Sequence, residues 1–127
     1  MNNKIRILIV DDSLSFRKGI RALLSIQSDM EVIGEASDGS IAMEMISRLK
    51  PELVLLDECM PGMSGSEVTR QLKDLWPHIK VILLTMYSDR ESLAIEAGVD
   101  AFLIKGIPPE HILAMIREII EKISKER

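Results

Sequence analysis

The amino-acid sequence predicts a doubly wound α/β domain, a five-stranded parallel sheet in the order 2-1-3-4-5 layered between helices. Three observations predict it. Short, nearly unbroken apolar runs alternate with stretches whose apolar residues recur every three to four positions, as expected for strands buried on both faces between amphipathic helices. The connections are short, so the crossovers must be right-handed. Four of the apolar runs end on polar residues, namely Asp11-Asp12, Asp57, Thr85 and Lys105, and in a parallel sheet these ends share one edge.

The elements follow in order. Ile5–Val10 is β-branched and reads as a central strand. Ser13 or Asp12 caps the next helix, which places Phe16, Ile20, Leu23, Leu24 and Gln27 inward, Arg17, Lys18 and Arg21 toward water, and breaks at Ser28-Asp29. Met30–Ala36 alternates through Glu31-Val32-Ile33-Gly34-Glu35, which suits an edge strand. Asp38-Gly39 reads as a turn, and 41–49 as a helix with Ala42, Met45, Ile46 and Leu49 inward, ended by Lys50-Pro51. Leu53–Asp57 is the strand on which the chain is centred, bounded by Pro51 and Pro61. Ser64 or Ser66 opens a third helix carrying Val68, Leu72 and Leu75, which Trp76-Pro77 ends. A fourth strand, 79–84, ends on Thr85. Ser88 and Glu91 have the spacing of a capping box for a short helix with Leu93, Ala94 and Ala97 on its apolar side and Gly98 after its end. Ala101–Ile104 is the fifth strand, ending on Lys105. Pro108-Pro109-Glu110 starts the last helix, striped by Ile112, Ile116, Ile119, Ile120 and Ile123, and 124–127 is a charged tail. The result is a flavodoxin-like (βα)5 sandwich.

Composition bounds the function. At 127 residues and 46% hydrophobic content the chain suits one domain with a full core. A net charge of −4 argues against gripping nucleic acid or an anionic membrane directly, and 3% aromatic residues leave little for base stacking. The one cysteine, Cys59, excludes an internal disulfide and fits a reducing, cytoplasmic setting. No apolar run spans a bilayer, and Met1-Asn2-Asn3-Lys4 leads into a strand without a signal peptide. The methionines read as core filler, and His78 and His111 as solvated surface.

The first and third strands are neighbours, about 4.8 Å apart, so Asp11, Asp12 and Asp57 converge. Three crowded carboxylates repel unless a cation joins them. An oxygen-only ligand set with room for water suits Mg²⁺ rather than zinc. Lys105 adds a fixed positive charge and Thr85 a hydroxyl donor, and a dianionic group between metal and lysine would complete the site. Each residue alone could be a cap or half of a structural ion pair. Their joint placement at the strand ends points to a ligand site.

With Asp11-Asp12, Asp57 followed by Met60-Pro61-Gly62-Met63-Ser64-Gly65, Thr85 and Lys105, the chain resembles the receiver (CheY-like) domain of two-component response regulators over essentially its whole length. The resemblance implies a single receiver domain, 1–127, in which Asp57 takes a phosphoryl group from a histidine kinase or phosphotransfer protein. It implies Mg²⁺ held by Asp12, Asp57 and the Cys59 backbone carbonyl, with Asp11 acting through water. Thr85 and Lys105 would contact the phosphoryl oxygens, Phe102 matches the switch aromatic, and Cys59 and Tyr87 flank the line of the hydrolytic water. A surface of the fourth helix, fifth strand and fifth helix would carry the output, including a phosphorylation-dependent homodimer. Leu84-Thr85-Met86-Tyr87 and Phe102-Leu103-Ile104-Lys105 look like receivers that precede a LuxR-type helix-turn-helix, so either the chain is a single-domain receiver or 121–127 is the start of a linker to a DNA-binding effector domain. Many relatives carry proline after the lysine, often in a cis peptide; this chain has Gly106, and a non-proline cis bond would cost about 2.5–4 kcal/mol.

Two other classes compete. An aspartyl-nucleophile phosphatase of the haloacid dehalogenase kind needs a second Asp two residues after the nucleophile, where this chain has Cys59. A flavodoxin binds the FMN phosphate in the loop after its first strand, where Asp11-Asp12 would repel it.

Overall fold

The computed structural model describes residues 4–126, with side chains as far as Lys122. Met1-Asn2-Asn3, Arg127 and the side chain of Ile123 lie outside the described residues. Five strands, β1 (Ile5–Val10), β2 (Met30–Ala36), β3 (Leu53–Asp57), β4 (Lys80–Thr85) and β5 (Ala101–Ile104), form one parallel sheet in the order β2-β1-β3-β4-β5, as the sequence predicts. The helices are α1 (Leu14–Ser25), α2 (Gly39–Leu49), α3 (Gly65–Leu75), α4 (Glu91–Ala97) and α5 (Pro109–Glu126).

The two-residue period of the strands divides the core. Ile5, Ile7 and Ile9 of β1, with Leu53 and Leu55, Ile82 and Leu84, pack under α1 (Ile20, Leu24) and α5 (Ile112, Ile116, Ile119). Leu8 and Val10, with Val54, Leu56, Val81 and Leu83, pack under α2 (Ala42, Ile46), α3 (Val68, Leu72) and α4 (Ala94). Both faces are covered, so from Ile7, Leu53 and Val81 onward the inner strands carry no polar residue until they reach the carboxyl edge.

Several expectations are corrected. Asp38-Gly39 is the start of α2 rather than a free turn: the Asp38 carboxylate accepts from the Ile41 N–H at 2.9 Å, and the helix begins at Gly39. α1 ends at Ser25, so Gln27 lies beyond it and its backbone N–H bonds the Leu24 carbonyl. Arg17 does not face water. Its Nε meets the Glu35 carboxylate at 3.1 Å and a terminal nitrogen donates to the Asp11 carbonyl, because β2 and the end of β1 offer it two oxygens. Leu75 is exposed, since the inward row Val68, Leu72 continues to Trp76, which packs on the core in its place.

The Ser88–Glu91 capping box does not form. A 3-10 turn, Ser88–Arg90, precedes α4, and neither start carries a side-chain cap. The Tyr87 N–H is drawn back to Thr85 Oγ1 at 3.3 Å, and the next turn closes by Arg90 N–H to Tyr87 O, a tighter three-residue step. Leu93, expected inward, is exposed, and α4 buries only Ala94 and Ala97. Gly98 ends the helix in the left-handed region, at φ 99°, as its place after the last turn predicts. No peptide bond among the described residues is cis, so Lys105–Gly106 is trans.

Candidate functional site

β1 and β3 are hydrogen-bonded neighbours, with Val10 opposite Leu56. One residue further, Asp11 and Asp57 leave the sheet side by side. A carboxylate oxygen from each of Asp11, Asp12 and Asp57 lies within 4.8 Å of the others. Asp11 and Asp57 are 1% and 5% exposed, whereas Asp12 is open to solvent. The Ser13 N–H, in the residue that also caps α1, holds Asp11 Oδ1 at 2.8 Å.

Lys105, at the end of β5, reaches back across β4. Its Nζ stands 2.6 Å from Asp11 Oδ2 and 3.6 Å from Asp57 Oδ1, and 4.3 Å from the centroid of the Phe16 ring in α1. The contact with Asp11 Oδ2 is one of charge without hydrogen-bond alignment, for that buried oxygen has no hydrogen-bond partner among the described residues. Burial pushes the Asp57 carboxyl up from its ordinary 3.8 to about 6. The Asp11 charge adds to the rise and Asp12 adds less, while Lys105 and a hydrogen bond from the Cys59 backbone N–H oppose it.

The cluster is therefore short of positive charge. Its donors are oxygens only, one of them buried without a hydrogen bond, and a cleft of 460 Å³ lined by Asp12, Cys59, Pro61 and Arg90 opens beside it. This donor chemistry fits a hard divalent cation such as Mg²⁺. A larger groove, 590 Å³, runs along α5 past Leu103, Ile107 and Met115 and touches none of the acids.

The other predicted residues occupy graded positions. Thr85 is buried at the end of β4, its carbonyl accepting from the Lys105 N–H at 2.7 Å. Cys59 is exposed on the cleft rim. Tyr87 is 57% exposed and is joined to Thr85 by its backbone N–H. Phe102 lies inside β5, opposite Leu83, half-buried against the α2–α4 side of the core and apart from the acids. His78 and His111 are exposed, as expected.

Two features were not legible as site residues. Glu58, next to Asp57, is 2% exposed and bonded to Ser66. At Gly65 a Cβ would collide with the Asp57 carbonyl oxygen and press on Glu58 Cα, so only glycine lets α3 start against the end of β3. The motif contains both residues, but their contacts span the loop and carry no local signal.

The family model of the response regulator receiver domain matches residues 7–117. The chain is 40% identical over 116 residues to the response regulator protein VraR of Staphylococcus saprophyticus, covering 90% of this chain and 56% of that protein. It thus spans little more than half the length of this curated relative. Among solved structures, a CheY-like response regulator receiver domain protein from Methanospirillum hungatei superposes with a TM-score of 0.90 at 28% identity, covering 98% of this chain and 99% of that one. A DNA-binding response regulator of the LuxR family from Staphylococcus aureus gives 0.86 at 28% identity, covering 91% and 98%. Among the described residues no helix is long and apolar enough to cross a membrane.

Proposed function

Because the chain belongs to the response regulator receiver domain family of two-component signalling, we propose that Asp57 is its phosphoacceptor and that a sensor histidine kinase or a phosphotransfer protein is its donor. The observation that carries this reading is the Asp57 carboxylate at the end of β3, grouped with those of Asp11 and Asp12 and with Lys105 Nζ 3.6 Å away. A carboxylate oxygen of Asp57 forms the new O–P bond as the N–P bond of the donor phosphohistidine breaks. Little covalent chemistry is left to the protein, which supplies position and charge. Lys105 neutralises the incoming phosphoryl oxygens and the Thr85 hydroxyl donates to one of them. Asp12, Asp57 and the Cys59 carbonyl would hold Mg²⁺, with Asp11 acting through water. When bound, the ion would supply the charge neutralisation that the three acids lack.

The same contacts would set a switch. A phosphoryl group that draws the Thr85 hydroxyl inward breaks its bond with the Tyr87 N–H, frees the turn before α4, and lets Phe102 bury further. The α4–β5–α5 surface then changes, which supports dimerisation on phosphorylation. A DNA-binding effector following 121–127, acting in the cytoplasm, is the output we infer, because a DNA-binding response regulator of the LuxR family is among the similar structures and the chain spans 56% of VraR. Cys59 and Tyr87 offer no carboxylate or amide to orient a water, so the acyl phosphate should persist, and Tyr87→Ala should shorten its life by admitting solvent.

The test is intact-mass spectrometry after incubation with acetyl phosphate and Mg²⁺. One phosphoryl mass is expected on the wild type and none on Asp57→Asn. Undiminished labelling of the variant would overturn the assignment.

A further inference from the structure

We propose that Glu58 and Ser66 form a clamp that positions the intervening loop, and with it the Cys59 carbonyl, for divalent-cation binding beside Asp57. This rests on the receiver reading of the site. The Ser66 N–H donates to Glu58 Oε1 at 2.6 Å, and the Ser66 hydroxyl lies 2.9 and 3.0 Å from Oε1 and Oε2. The Gly65 N–H donates to the Glu58 carbonyl at 2.9 Å, and the Glu58 N–H donates to the Leu84 carbonyl at 3.3 Å. One residue therefore ties β3, β4 and the first turn of α3 together.

Capping the helix does not require this carboxylate. Ser64 already caps α3, its hydroxyl accepting from the Glu67 N–H at 3.1 Å. A buried carboxylate costs desolvation, and Glu58 sits next in sequence to a cluster that already holds three acids. The helix N-terminus and the Ser66 hydroxyl offset that cost. What the arrangement achieves beyond capping is closure of the loop 59–65 at both ends. Gly65 adds to the same closure, because a Cβ at that position would collide with the Asp57 carbonyl oxygen and only glycine lets α3 start so close to β3. Within the loop, the Cys59 N–H bonds Asp57, and its carbonyl is the proposed ligand. Groups that orient metal ligands commonly matter by 10–100-fold in affinity.

The experiment compares wild type with Glu58→Ala, Glu58→Gln and Ser66→Ala by calorimetric Mg²⁺ titration and by amide hydrogen exchange of residues 59–64. Glu58→Ala should weaken Mg²⁺ binding about tenfold and speed exchange in the loop. Glu58→Gln, which keeps an acceptor for the Ser66 N–H, should recover most of both, and Ser66→Ala should fall between. Folded Glu58→Ala with wild-type affinity and exchange would overturn the clamp. So would Glu58→Gln as defective as Glu58→Ala, since charge rather than positioning would then be at work. If Glu58→Ala does not fold, unchanged affinity and exchange in Ser66→Ala overturn it equally. Wild type that binds no Mg²⁺ would count against the receiver reading, while loop exchange in the variants would still decide the clamp.

Discussion

The two halves of the sheet's carboxyl edge are built differently. On the β1–β3–α3 side every residue of β3 is buried, Ser13 and Ser64 cap their helices, and α3 starts so close to the Asp57 carbonyl that Gly65 has no room for a Cβ. On the β5–α4 side the strand has four residues, all half-buried, and α4 has seven, starts uncapped and buries two alanines. Met86, Tyr87, Leu93 and Ile95 are exposed there. Burial contributes roughly 25 cal/mol per Å² of apolar surface, so α4 is held by far less than α3. Phosphoryl transfer depends on fixed groups, whereas a switch requires two arrangements close in energy. The rigid half suits the first requirement and the lightly held half the second.

The largest test of this contrast is in the core. Leu56→Ala, in β3, should cost roughly 4 kcal/mol, while Leu93→Ala, in α4, should cost less than about 1 kcal/mol. Urea denaturation measures both, and equal losses would break the comparison.

A smaller effect comes from pH. In the presence of chelator, Asp57 titrates at about 6 in the folded protein against 3.8 when unfolded. The folded state therefore binds this proton more tightly. Its contribution to stability is fully present below 3.8 and is lost as pH rises through about 6, by at most about 3 kcal/mol. Asp57→Asn should flatten that part of the stability profile and raise stability at neutral pH. A profile unchanged by the substitution would show that Asp57 carries no such strain.

The smallest effect concerns the caps. Ser64→Ala should cost about 1 kcal/mol and Ser88→Ala less than about 0.5 kcal/mol, read from paired thermal melts. A similar loss at Ser88 would mean that α4 is capped after all.

By itself the sequence determined the five strands, their order and the edge on which Asp11, Asp12, Asp57, Thr85 and Lys105 meet. Burial on both sheet faces leaves an apolar run with polar ends, and that pattern is local. It also determined that Gly98 ends α4, because a left-handed turn selects glycine. The tertiary structure decided the rest. Ser88 has the spacing of a cap, yet Thr85 Oγ1 takes the Tyr87 N–H first. Arg17 reads as surface until Glu35 and the Asp11 carbonyl draw it in. Glu58 reads as a loop acid until α3 docks its first N–H groups and the Ser66 hydroxyl against it. Lys105 lies between Asp11 and Asp57 only because β5 pairs beyond β4 and its side chain reaches back across the edge. Periodicity records which residues are buried, whereas the partner of a buried charge depends on where distant elements dock, and no local pattern carries that.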